Sequence, residues 1–178
     1  MTLDADPTSA TFNCYSTLAE ANTYHSARLH NSAWTGADVA TKEASLLWAT
    51  RNFEILQWKG WQTDPAQPLH WPRTGVFKDG DEVADRLSFP MLYTQYMFGG
   101  ATIPQFLKDA TAELAFWLIQ SDVTAPVGTE GFKRVKVDSI ELEVDKQDRL
   151  KWMNDSVRNI VWRYLKNSNK YLAPVQRV

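Results

Sequence analysis

The sequence predicts a mainly α-helical protein: a four-helix-type bundle with a β-hairpin before the last helix and extended N- and C-terminal arms. Three observations carry this. Apolar residues recur at three- and four-residue spacing through four stretches. Two period-two runs meet at Asp138-Ser139, and both ends of the chain are polar and aperiodic. The chain has 178 residues, and domains run to about 100–200. Residues 1–166 are therefore expected to form one helical domain, with the hairpin near 132–145, an excursion at 77–100, and residues 167–178 as a C-terminal tail.

Residues 1–15 read as an extended lead-in. Thr17-Leu18-Ala19-Glu20 is a capping box, in which the Thr hydroxyl and Glu carboxylate satisfy each other's end-of-helix amides. It opens a helix to about residue 30, with Leu18, Ala21, Tyr24 (or His25) and Leu29 on one side. Trp34–Asp38 reads as a turn, and Asp38 or Thr41 is available as the next N-cap. The helix from there to Trp58 carries one stripe of Ala44, Leu47, Trp48, Arg51, Ile55 and Trp58. A second stripe holds Leu46, Ala49, Phe53 and Leu56. Two adjoining stripes predict a central helix buried on more than half its circumference.

Gly60 closes that helix, and the three prolines within residues 61–76 forbid another. Trp61, Leu69 and Trp71 make this a sticky loop. Residues 77–100 begin acidic, turn aromatic (Phe89, Tyr93, Tyr96, Phe98) and read as a surface excursion. Ile103-Pro104 opens a helix to about Ser121, with proline in the first turn where its missing amide costs nothing. Phe132–Asp138 and Ser139–Val144 alternate as hairpin strands. Leu150–Lys166 is amphipathic, with Trp152 (or Met153), Val157, Ile160, Val161, Tyr164 and Leu165 inward. Of the eight tryptophans, Trp48, Trp117 and Trp162 are expected in the core.

The residues for chemistry are sparse. His25 and His30 stand five apart, about 140° round a helix, so they do not share a face as zinc ligands would. Cys14 has no neighbouring histidine or cation to lower its pKa. Asp79-Gly80-Asp81-Glu82 lacks the spacing of a calcium loop, and no phosphate-cradling glycine pattern occurs. Glu54, Asp109 and Glu113 show no shared-site signature. The expectation is a protein that is not an enzyme, with no catalytic residues, metal or cofactor. The single cysteine and the N-terminal Met1–Asp6, neither basic nor apolar, suggest a reducing, aqueous compartment. No stretch approaches the roughly 20 apolar residues of a membrane span.

Net charge is −2, but it divides unevenly: residues 1–129 carry 8 cations and 14 anions, residues 130–178 carry 11 and 7. The basic third includes Lys133, Arg134 and Lys136, which are candidates for facing DNA, although the favoured reading is a solvated hairpin and helix face that meets an acidic partner, including another copy's N-terminal part.

The ordered set Ala33-Trp34-Thr35-Gly36-Ala37, Lys42–Thr50, Trp58-Lys59-Gly60, Leu69–Val76, Ile103–Ala115 and Ser139–Val144 resembles a family of small tailed-bacteriophage proteins over about residues 15–165. Its members are labelled DnaT-like single-stranded-DNA-binding proteins and also look like head–tail connectors. The sequence departs from the pattern in its longer 77–100 excursion and in Trp61, where the family carries Arg. The connector reading implies a virion neck protein made in the host cytoplasm. It would form a dodecameric ring between portal and tail or nozzle proteins, close to double-stranded DNA and away from membranes. Trp61, Trp71, Arg73, Phe89, Tyr93 and Tyr96 would then serve subunit interfaces, and Tyr171, Leu172, Val175, Arg177 and Val178 would dock on the portal. The alternative is a replication protein that stacks single-stranded DNA on Trp61 and Trp71, with phosphates on Lys133, Arg134 and Lys136. Of the two, the connector is the expected role.

Overall fold

The computed structural model describes residues 2–78, 96–121, 134–137, 140–143 and 153–166. Among these the fold is mainly helical. Five α-helices occur: α1 (Leu18–Ser26), α2 (Ser32–Gly36), α3 (Val39–Phe53), α4 (Gln105–Gln120) and α5 (Asp155–Val161), the last continued by a 3-10 turn over Trp162–Tyr164. Two small antiparallel sheets accompany them. In one, β1 (Trp61–Gln62) pairs with β2 (Arg73–Thr74). In the other, β3 (Arg134–Val137) pairs antiparallel with β4 (Ile140–Glu143), Val137 opposite Ile140, within the expected hairpin.

The central helix is α4, not α3. It packs against α1, α2, α3 and α5, and every residue from Ala110 to Phe116 is buried. Four elements gathered on one replace the expected four-helix-type bundle. Helix α3 buries only its second stripe, Leu46, Ala49 and Phe53, together with Ser45 and Thr50. In the first stripe Ala44, Trp48, Arg51 and Ile55 face solvent. A second apolar stripe needs a second neighbour, and the described residues supply none along that face.

Several local signals act as their chemistry requires. Thr17 and Glu20 form the capping box, and the Asp38 carboxylate accepts from the Thr41 amide. Pro104 is the N-cap of α4. Two helices end earlier than their periodicity suggests. Helix α1 stops at Ser26 because the Asn31 side chain donates to the His25 carbonyl and His30 turns at a positive φ of 57°. Helix α3 stops at Phe53, whose carbonyl accepts from the Trp58 indole. The N-terminal lead-in is folded rather than extended. The Asp4 carbonyl accepts from the Asn13 and Cys14 amides, and Phe12, Cys14 and Tyr15 are buried. Burial pushes the Cys14 thiol pKa up, the opposite of what a nucleophile needs.

Two buried polar clusters set the α1–α4 and loop–α3 contacts. In the first, Arg28 Nε and Nη2 donate to the two Glu113 carboxylate oxygens at 2.9 Å each, and the guanidinium lies 4.0 Å over the Phe116 ring. Tyr24 donates to the same carboxylate; burial, then Glu113, push its pKa up to about 12. In the second, the Tyr15 hydroxyl donates to Glu54, whose other oxygen accepts from the His70 amide. Burial, then the Glu54 charge, drive the Tyr15 pKa well up.

His25 is buried between Trp34 and Phe116, with Nε2 3.1 Å from the Ala112 carbonyl. Burial holds its pKa below the ordinary imidazole value. The unfolded chain takes up a proton as pH falls through about 6.5, whereas the folded chain resists it, so stability falls on acidification. Urea midpoints should drop between about pH 8 and pH 5.5, and His25→Gln should shrink that drop. An unchanged pH dependence in the variant would refute this.

A candidate nucleic-acid interface

The irregular segment after α3 is a succession of short backbone pairings. Residues 57–59 pair with 164–166: the Lys59 amide donates to the Tyr164 carbonyl and the Lys166 amide to the Gln57 carbonyl. Past Gly60 the chain becomes β1 and pairs with β2. Residues 76–78 then pair with 96–98, the Phe98 amide donating to Val76 and the Lys78 amide to Tyr96. The Tyr164 hydroxyl closes the set by donating to the Lys78 carbonyl.

Two glycines make this path passable. Gly60 has φ 65°, and a Cβ there would stand 2.2 Å from the Thr74 carbonyl oxygen. Gly75 has φ 74°, and its missing side chain leaves the place taken by the Trp61 six-membered ring, 3.1 Å from where a Cβ would be. Trp61 is therefore held against bare backbone and still 69% exposed. Tyr96 is also exposed, and Lys59, Lys78 and Lys166 lie on three of the paired segments. A large ring fixed on one side and open on the other, with lysines on the adjoining segments, can stack a base while cations meet the backbone that carries it.

The structure separates residues that the sequence groups together. Trp71 is fully buried, its ring edge-on to Trp58, Phe98 and Phe106. It reaches neither a subunit interface nor a base. Arg73 is buried too, donating to the carbonyls of Lys59, His70 and Gly60. Its charge staples the loop rather than facing a partner. The tryptophan expectations reverse: Trp34, Trp58 and Trp71 are core, Trp48 is exposed, and Trp117 and Trp162 are half-buried.

Arg134 and Lys136 lie on β3, opposite Glu143 and Glu141 in the hairpin register, so that stretch is close to charge-balanced. Phe89, Tyr93, Lys133, the acidic run from Asp79, and the tail residues Tyr171, Leu172, Val175, Arg177 and Val178 lie outside the described residues. Among the described residues no group of His, Cys, Asp or Glu is placed to hold a metal ion, and no helix is long and apolar enough to cross a membrane. What the sequence analysis missed is Gly75 as the floor under Trp61; the Arg-Thr-Gly at 73–75 was its only signal.

A family model described as "Putative DnaT-like ssDNA binding protein" matches residues 1–178. The chain belongs to this DnaT-like family. No curated protein and no solved structure shows significant similarity to it. The family match overturns the connector reading, with its virion, neck and portal-binding vocabulary, and favours the alternative of single-stranded-DNA binding. The ring, portal and tail partners had only the family resemblance behind them, and the match carries no such role.

Proposed function

We propose that this DnaT-like protein binds single-stranded DNA without base-sequence preference, stacking a base on Trp61 and running the phosphate backbone past the lysines of the paired segments. The observation that carries the reading is the exposed Trp61 ring laid on Gly75. Aromatic stacking accepts any base because every base has a π-face. Trp71, the other stacking candidate, has no exposed surface to offer. The chain's slight net negative charge keeps the electrostatic contribution modest, so stacking has to supply much of the affinity. Under this reading the chain binds and does not catalyse.

The test is fluorescence anisotropy of a labelled oligothymidine over a salt series. Binding should weaken with salt, with a log–log slope reporting a few released counterions. Trp61→Ala should weaken binding about tenfold, since a stacked base is worth about 1–3 kcal/mol, and should leave the melting temperature nearly unchanged. Absence of binding at low salt, or full affinity in the variant, would defeat the proposal.

A further inference from the structure

A surface cleft of about 380 Å³ opens two residues along the strand from Trp61. Residues 7–10 form one wall, residues 63–68 and Pro72 the other, and residues 100–101 close one end. Its size falls in the range of about 300–1,000 Å³ that houses small organic groups. Pro7, Ala10, Ala66, Pro68, Pro72 and Ala101 make the lining largely apolar.

Four of the five polar side chains in that lining are already engaged within the protein. The Gln67 side chain donates to the carbonyls of Leu69 and Pro72 and accepts from the Asp64 amide. The Asp64 carboxylate accepts from the Ala66 amide, the Thr8 hydroxyl donates to Asp6, and the Ser9 hydroxyl lies 3.0 Å from that of Thr11. Such a lining offers apolar surface and little hydrogen-bond readout. Its charged residue is Asp64, which repels phosphate. The chemistry that fits is a flat ring whose phosphate stays outside: a nucleobase, which gains by leaving water.

The cleft is continuous with the Trp61 site. The Thr63 amide donates to the Pro72 carbonyl, so the β1–β2 pairing runs on into the cleft. Trp61 and Thr63 are alternate residues on one strand, so their side chains share a face about 6–7 Å apart. That is roughly double the 3.4 Å per nucleotide of a stacked strand, a step that one unstacked nucleotide covers. Gly100 lets the end of the cleft close directly on two threonines. A Cβ there would stand 2.6 Å from Thr74 Cγ2 and 2.8 Å from Thr63 Oγ1.

We propose that this cleft takes the base next to the one stacked on Trp61. Two consecutive nucleotides of a single strand are then held, one on an aromatic ring and one between proline walls. The inference rests on the single-stranded-DNA reading and deepens it by placing the second base.

Photocrosslinking tests the placement. An oligothymidine carrying 4-thiothymidine is irradiated with the full-length protein, and the attachment sites are mapped by mass spectrometry. Crosslinks should appear at Trp61 and within residues 7–10 or 63–68. A full-length variant with Ala66→Leu and Ala101→Leu, both at exposed positions, fills the cleft. It should melt like the unaltered protein, lose the crosslinks in the cleft walls, and bind oligothymidine about tenfold more weakly, the loss expected for one base. Oligodeoxycytidine should show a similar loss. Crosslinks confined to Trp61, or full affinity in a folded filled variant, would overturn the inference while Trp61 stacking stands. Should the filled variant fail to fold, the crosslink map of the unaltered protein decides. Loss of Trp61 dependence is the separate outcome that removes the DNA-binding reading, and the cleft assignment with it.

Discussion

Replacing Trp71 with alanine is expected to cost about 3–5 kcal/mol of stability, the range for removing a fully buried large aromatic from a core that cannot collapse onto the gap. Trp71 has no exposed surface, and its ring is met edge-on by Trp58 at 5.6 Å, Phe106 at 5.5 Å and Phe98 at 6.2 Å between centroids. Phe98 and Phe106 in turn pack on Tyr164, so the ring ties the 61–76 segment to α4 and to the last turn of the chain. The indole nitrogen has no hydrogen-bond partner among the described residues. Trp71→Phe should therefore lose packing but no hydrogen bond, and should be markedly milder. Urea denaturation of the three proteins gives the answer. A loss below about 1 kcal/mol for the alanine variant would show that the site is not the packed centre described here. Trp71→Phe should also bind oligothymidine like the unaltered protein, which separates Trp71 from Trp61.

Arg28→Ala is the second large effect, expected at about 2–3 kcal/mol. Removing one partner of a buried ion pair leaves an uncompensated charge and costs about 3–5 kcal/mol when both are buried. The figure is lowered here because the Arg28 side chain is 27% exposed, against 4% for Glu113. This asymmetry has a consequence of its own. Without Arg28 the Glu113 carboxylate stays in α4 facing the core, with only the Tyr24 hydroxyl to answer it. Without the Glu113 charge, Arg28 can still turn to water and to the carbonyls of Leu29 and His30. Glu113→Gln should thus cost clearly less than Arg28→Ala. Equal losses in the two variants, measured by urea midpoints, would contradict this account.

Much of the secondary structure was legible because it rests on short-range chemistry. The capping box at Thr17, the Asp38 cap, the proline opening of α4 and the alternation of the paired hairpin strands each need only neighbours in the chain. The inward face of the last helix was also legible: Val157, Val161, Tyr164 and Leu165 are buried. The candidate site was half legible. Trp61 stood out as an aromatic in a loop, but Trp71, ten residues on, looked the same in sequence. One is exposed and the other buried because Gly75 supports the first from beneath while three aromatics from 58, 98 and 106 enclose the second.

Local signals in the chain therefore settled where helices begin, which residues alternate in the hairpin, and that an aromatic loop follows α3. They could not settle which helix is central. Periodicity reports that a face is apolar, not whether a neighbour comes to cover it. Helix α3 has two apolar stripes and one set of neighbours, whereas α4 is enclosed by four. The same holds for Arg73, expected at a subunit interface, and for Glu113, which carries no site signature in sequence: the fold places them against carbonyls and a guanidinium. Burial is a property of residues distant in the chain meeting, and only the assembled tertiary structure holds that information.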